Sequence, residues 1–231
     1  YDVIGRSNEE ILAVKAKDPK ALSIEEMVYA GNLLANNDAQ KEEYYKKTVQ
    51  VYPNDYRAYN NLAEIEMRKG NVDAAKNYLN QALKANANAP EANANLGLLA
   101  LQSGDTKSAE LYLSKASNSN NANEALGYLY LSQGQYTKAA QNLNGVSSNG
   151  AALAQILTKD YASAEKTLSG IKNGDATTSY LKAILAARQD NKSAVVSNLK
   201  NAISADRSYA QRAANDVEFK AFESDIESII K

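Results

Sequence analysis

The sequence predicts an all-α fold, a right-handed superhelical solenoid of about five to six helix-turn-helix units with helical caps at both ends. Three observations carry that expectation. A Leu-small pair followed by a Gly-x-x-x-x-Ala element recurs: Leu62-Ala63 before Gly70 and Ala75, Leu96-Gly97 before Gly104 and Ala109, Leu126-Gly127 before Gly134 and Ala139. The second copy is offset from the first by 34 residues and the third from the second by 30, a period that marks stacked helix pairs. Between the turns, apolar residues keep helical spacing, as in Ala75, Tyr78, Leu79, Ala82 and Leu83. Ser7-x-x-Glu10 and Ser23-x-x-Glu26 are capping-box patterns that place helix starts.

Taken in order, Ser7 opens a helix over 8–17, which Asp18-Pro19 ends because the residue before proline avoids helical geometry. Ser23 opens a second over 24–35, and 41–52 forms its partner, closed by Pro53-Asn54-Asp55. The clearest repeat spans 56–89, and 90–119 matches it, with Pro90 at a first-turn position where its missing N–H costs nothing. Units at 120–145, 150–171 and 175–205 follow. Their return-helix small positions (Ala139, Ala164, Val195) come at steps of 30, 25 and 31 residues, so the units at 120–145 and 150–171 lose a turn of helix or a loop. Lys159-Asp160 and Asp190-Asn191 stand where the earlier units have their Gly turn. Ser117–Asn123 and Gly145–Gly150 read as loops. Phe219, Phe222, Ile226, Ile229 and Ile230 form an apolar stripe that caps the array. The reading is one solenoid domain over 1–231: an N-terminal cap at 1–22, repeats at 23–205 and C-terminal capping helices at 206–231.

The residue types have a packing logic. Two antiparallel helices must come close at their crossing, and Ala63, Gly97, Gly127, Ala75, Ala109 and Ala139 permit it, while Leu79, Leu113 and Leu143 fill the space alongside. Gly70, Gly104 and Gly134 can take the left-handed backbone that ends the first helix of a pair.

Composition narrows function by exclusion. The chain has 231 residues, 44% of them hydrophobic, and a formal charge of −1 from 26 basic and 27 acidic residues. No broad positive field is available for a nucleic-acid backbone. There is no Cys and no His, which removes disulfides, thiolate nucleophiles, zinc-finger ligand sets and imidazole acid–base chemistry. Carboxylate pairs such as Glu9-Glu10, Glu25-Glu26 and Glu42-Glu43 point about 100° apart on a helix and do not converge on one substrate atom. No catalytic residue, metal ligand, phosphate loop or cofactor is expected, and no apolar run is long enough to span a membrane. The chain starts with Tyr1 rather than Met, which reads as a fragment or processed product with any signal peptide or lipid anchor outside it.

The stretches "YNNLAEIEMRKGNVDAAKNYLNQAL" and "NANLGLLALQSGDTKSAELYLSKA" resemble the tetratricopeptide repeat (TPR) family, with its small-residue and Gly-turn positions in place. The resemblance departs from the family pattern at Asn93, where a bulky residue is usual, at Glu66 and Ala100, where an aromatic is usual, and at Ala87, where a closing Pro is usual. It implies a non-enzymatic scaffold that binds a protein or peptide along a concave face built from the first helix of each pair. Carried over by position, that face presents Arg57, Asn60, Glu64 and Arg68, then Glu91, Leu98 and Gln102, then Tyr128. Asn61 and Asn95 also match the Asn position of the family's carboxylate clamp, but the third repeat has Glu91 where a cation is needed. A weaker resemblance, in "YPNDYRAYNNLA", "LAQILTKDYASAEKTL" and "DATTSYLKAILAARQDN", is to C-terminal modules of larger envelope proteins of Gram-negative gut anaerobes. It implies a periplasmic or outer-membrane-associated setting, with a cytoplasmic one as the alternative. A protein or peptide partner, no nucleic acid and no direct membrane span are expected, with a monomer favoured over an oligomer, and the competing reading is a structural spacer or self-assembly module. Tyr44, Tyr45, Tyr128, Tyr130 and Tyr136 could form a recognition patch or serve packing, and packing is the expectation for most of the tyrosines.

Overall fold

The computed structural model describes residues 6–116 and 119–231, and every described element is helical. Ser117 and Asn118 of the expected linker, and residues 1–5 of the expected N-terminal cap, lie outside the described residues. The chain packs as two compact units, 1–123 and 124–231, each of which is built from helix pairs.

In the first unit, Ser7 and Ser23 cap α1 (Asn8–Lys17) and α2 (Ile24–Tyr29), and Ser23 and Glu26 complete a reciprocal capping box. A one-turn 3₁₀ segment at Pro19–Ala21 lies between them. The helix expected over 24–35 is not uniform: from Ala30 to Leu34 it widens to a π-turn. A Cβ at Gly31 would lie 2.5 Å from the ring of Tyr45, whose hydroxyl donates to Asn32 Oδ1 at 2.6 Å. The ring of the partner helix thus sits where the α2 segment bulges. That partner is α3 (Asp38–Val51). The pairs α4 (Tyr56–Arg68) with α5 (Val72–Ala85), and α6 (Pro90–Gln102) with α7 (Thr106–Lys115), pack along their lengths. Ala63, Ala75, Leu79 and Ala82 have no exposed surface and form one core with Tyr59 and Leu96.

The boundary between the units falls within α8 (Asn120–Ser132). The second unit continues with α9 (Tyr136–Asn142), α10 (Asn149–Leu157), α11 (Tyr161–Ser169), α12 (Ala176–Arg188) and α13 (Lys192–Ala205). The shortening foreseen in the middle of the array is taken up mainly by return helices: α5 has 14 residues, α7 10, α9 7 and α11 9, and α13 returns to 14. The first helix α10 is shortened too, to 9 residues against 13 in α4, α6 and α12. The crossings themselves do not change. Ala63, Gly97, Gly127, Ala152 and Ala183 each precede by sixteen residues the leucine of their own pair, at 79, 113, 143, 168 and 199. All five leucines are buried.

The turn inside these five pairs is equally regular. The amides of Asn71, Asp105, Gln135, Asp160 and Asn191 each donate to the carbonyl five residues back, all at 2.9 Å. This is the closing bond of a Schellman turn, and it needs one left-handed residue. Gly70, Gly104 and Gly134 supply φ of +75 to +79°, and in the last two pairs Lys159 (+63°) and Asp190 (+55°) adopt it without being glycine.

The C-terminal stripe caps the second unit, but not as one helix. It breaks into α14 (Tyr209–Asn215), a 3₁₀ segment at Val217–Phe222 and α15 (Glu223–Ile230). Phe219, Phe222 and Ile226 are buried against α12 and α13. Tyr180 meets Phe219 edge-on with centroids 5.5 Å apart, and its hydroxyl donates to Asp216 Oδ2 at 2.5 Å. Burial and that carboxylate hold the hydroxyl well above its usual pKa. Arg188 joins three elements: Nη2 to Glu218 at 2.6 Å and Nη1 to the carbonyl of Ile156 at 3.0 Å.

Two substitutions test this packing. Gly127→Ala puts a Cβ 2.6 Å from Leu143 Cγ and should cost about 1–3 kcal/mol in urea-induced unfolding. Lys159→Gly relieves a left-handed backbone and should leave stability unchanged or raise it by up to about 1 kcal/mol; a loss comparable to the Gly127 variant would contradict the turn assignment.

Candidate functional site

The residues expected to contact a partner divide between the two units, and each group is described within its own. In the first unit the inner helices α4 and α6 carry seven of them: Arg57, Asn60, Glu64, Arg68, Glu91, Leu98 and Gln102. Their roles differ. Asn60 is 4% exposed. Its Oδ1 accepts from Asn95 Nδ2 at 3.0 Å and its Nδ2 donates to Glu64 Oε1 at 3.2 Å. It is therefore a tie between successive inner helices, and what reaches the surface is Glu64 with Asn95. Asn61 continues the stripe by donating to Asn32 Oδ1 at 3.4 Å. Glu91 and Gln102 are exposed and Leu98 is half-buried.

The two arginines are already engaged. Arg57 grips Asp55 (Nε to Oδ1 3.0 Å, Nη2 to Oδ2 2.9 Å) and reaches Glu25 on α2 at 3.2 Å. Asp55, which also caps α4, would be raised by burial, but the guanidinium and the Arg57 amide outweigh that and hold it below the usual carboxylate range. Arg68 pairs with Asp38 at the start of α3 at 3.1 Å. These pairs bridge α4 to α2 and α3 and leave no free cation of the kind a carboxylate clamp needs at either arginine.

An apolar cleft of about 570 Å³ opens between α1 and α2, floored by Ile11, Val28, Tyr29 and Leu33 and rimmed by Arg6, Asn8, Glu25 and Asn32. Leu33 is 69% exposed and Tyr29 38%, unusual for residues of their size. Two rim residues join it to the polar stripe, Glu25 through Arg57 and Asn32 through Asn61. Sequence reasoning missed this cleft. Its signal was the apolar set Val28, Tyr29 and Leu33 in the helix expected over 24–35, and the π-turn that holds Leu33 cannot be read from periodicity.

In the second unit Tyr128 is fixed rather than presented. Its ring fills the place of a side chain at Gly150, within 2.5 Å of where a Cβ would stand, and its hydroxyl bonds Ser148 (2.8 Å) and Glu124 (3.1 Å). Tyr44, Tyr45 and Tyr130 are buried at 4–7% exposure, so packing accounts for them, and Tyr136 alone of that group stands open, at 39%. Among the described residues no group of three or more Asp or Glu is arranged to hold a metal ion, and no helix is long and apolar enough to cross a membrane.

Paired antiparallel helices closed by identical turns define an α-helical repeat protein. The model of the tetratricopeptide repeat family matches residues 42–75 and 62–123, and that segment carries tetratricopeptide repeats. Solved structures agree on the fold. The chain is similar to YrrB, described as a TPR protein with an unusual peptide-binding site (TM-score 0.64, 16% identity, covering 72% of this chain and 94% of that one). It is also similar to PilF of Pseudomonas aeruginosa (0.60, 16%, 87% and 95%) and to a tetratricopeptide repeat protein of Parabacteroides merdae (0.52, 19%, 86% and 85%). A comparison with curated proteins gave no significant match.

The electrostatics of the first unit yield a pH dependence. Glu42 is held low by Lys46 and Lys69, Glu43 by Lys15 and Lys47, and Asp38 by Arg68. A lowered carboxylate adds stability that is complete above its unfolded pKa, about 3.9–4.3, and is lost as pH falls through the lower folded value. Helix α13 has no carboxylate of its own. Amide protection in α3 and α4 should therefore fall ahead of protection in α13 as pH drops below about 4, after correction for intrinsic exchange. Glu42→Gln should blunt the effect.

Proposed function

We propose that the chain is a non-enzymatic protein-interaction module whose first unit holds an extended segment of a partner protein. One apolar side chain of that segment enters the Ile11–Leu33 cleft, and its main chain runs along the Asn61, Glu64 and Asn95 stripe toward Leu98 and Gln102. The observation that carries this reading is the physical continuity of the two features. Glu25 and Asn32 line the cleft and also bond the residues that begin the stripe. A preformed apolar pocket beside amide groups with spare acceptors is the chemistry that recognises a peptide. The peptide-binding site named for YrrB, a protein of the same fold, is in keeping with it. Binding would be at equilibrium, with no bond made or broken. The envelope setting implied by the weaker sequence resemblance is part of the same proposal, and fractionation of the native cells would test it.

The test is capture and cross-linking from native cells with the intact chain and two variants. Val28→Asp with Leu33→Asp should reduce recovery of the partner at least roughly tenfold, equivalent to about 1.4 kcal/mol. Val72→Asp, on the exposed side of α5, should leave it unchanged. Equal loss in both, or loss only in the α5 variant, would move the interface off the inner helices.

A further inference from the structure

The sequence contains three Asn-Gly pairs, Asn144-Gly145, Asn149-Gly150 and Asn173-Gly174, all in the second unit. Asparagine followed by glycine can cyclise on itself. The glycine nitrogen attacks Cγ of the asparagine side chain, an N–Cγ bond forms, the N–H proton is lost, and the side-chain nitrogen leaves as ammonia. Water then opens the succinimide at either carbonyl, giving aspartate or isoaspartate. The only co-reactant is water. Glycine is the favoured successor because it has no Cβ to obstruct the attack. In a folded chain the step also needs a side chain free to turn and a backbone free to bend.

The three sites differ in both respects. Asn144 and Asn173 are exposed and lie in turns between helices, with exposed glycines after them. Gly145 has φ +82°, with nothing within 4 Å of where a Cβ would stand. Among the described residues, neither asparagine side chain makes a hydrogen bond, and the amides of Gly145 and Gly174 donate to no acceptor. Asn149 is the opposite case. It is the first residue of α10. Its Nδ2 donates to Asp175 Oδ1 at 3.1 Å and its Oδ1 accepts from Thr178 Oγ1 at 2.8 Å. Both ends of its carboxamide are held, and the ring of Tyr128 packs over Gly150.

We propose that Asn144 and Asn173 are sites of self-catalysed deamidation in the native protein and that Asn149 is protected by its bonds to Asp175 and Thr178. Conversion at both sites adds two negative charges to a chain whose net charge is −1. The isoaspartate product also inserts a methylene into the main chain. At position 173 the new carboxylate arrives two residues before Asp175, whose side chain caps α12 and accepts from Thr178 N at 2.9 Å. Repulsion there acts on the same capping group that ties α12 to α10.

The experiment is incubation of the intact chain at neutral and mildly alkaline pH in water enriched in heavy oxygen. It is followed by digestion and peptide mass spectrometry, with isoaspartate scored by enzymatic methyl transfer from S-adenosylmethionine. A parallel sample is held in guanidinium chloride. In the native chain, heavy oxygen should enter at 144 and 173, and at 149 roughly tenfold more slowly or less, because reaction there waits on local opening. In denaturant the three sites should react within about twofold of one another. Thr178→Val should raise the native rate at 149 and leave 144 unchanged. The proposal is overturned if 149 keeps pace with the others in the native chain, or if 144 and 173 react only in denaturant.

Discussion

Five helix pairs in this protein each depend on one close crossing, where a residue with little or no side chain meets a leucine from the returning helix. At Gly97 and Gly127 the space is so fully used that a single added carbon would sit 2.6 Å from the leucine Cγ. The leucines opposite, Leu113 and Leu143, have no exposed surface. Burying a leucine contributes about 1.5–3 kcal/mol, and dense packing around it makes the site intolerant of a change in volume. Everything else follows the crossing. It sets how far apart the two helices can be, hence the length of the turn between them. It also sets which face of the first helix is left over for the next pair and for solvent.

The turn shows the same constraint from the backbone side. Five turns make the same bond at the same distance, although two of them use Lys159 or Asp190 in place of glycine. A left-handed lysine costs on the order of 1 kcal/mol, and the chain accepts that cost because the alternative is to lose the crossing. Variation is pushed to where it is tolerated. Return helices shrink to 7 residues and grow back to 14, and connections between pairs change length, while each pair keeps its small residue and its leucine in register.

This division explains what was legible in the sequence. The crossing and the turn are short-range patterns with fixed spacing, so helix bounds such as Asn8–Lys17, the Gly turns, their Lys159 and Asp190 substitutes and the Phe219–Ile226 cap could be read directly. The candidate site was less legible, because it depends on contacts between repeats. Position within a helix placed Asn60 on the inner face, but not its burial under Asn95, some 35 residues on. It placed Arg57 and Arg68 there too, but not the acidic partners from earlier helices that occupy them. Tyr128 looked available until Gly150, in the next helix, was seen to leave room for its ring. The cleft beside Leu33 includes part of a π-turn, and Gly31 within that turn meets Tyr45 across the pair.

Function in such an architecture rests on what the crossing leaves exposed, and in the first unit that is a polar stripe ending in an apolar cleft. The claim beneath it, that each pair is held by its small-residue–leucine contact, is tested most directly by a double-mutant cycle at Gly97 and Leu113, read by denaturant unfolding. If the contact is as tight as the structure shows, Gly97→Ala should cost markedly less in a Leu113→Ala background than alone, with a coupling of about 1–2 kcal/mol. Additive costs, within about 0.5 kcal/mol, would mean that the two residues do not constrain each other and that the repeat is held together elsewhere.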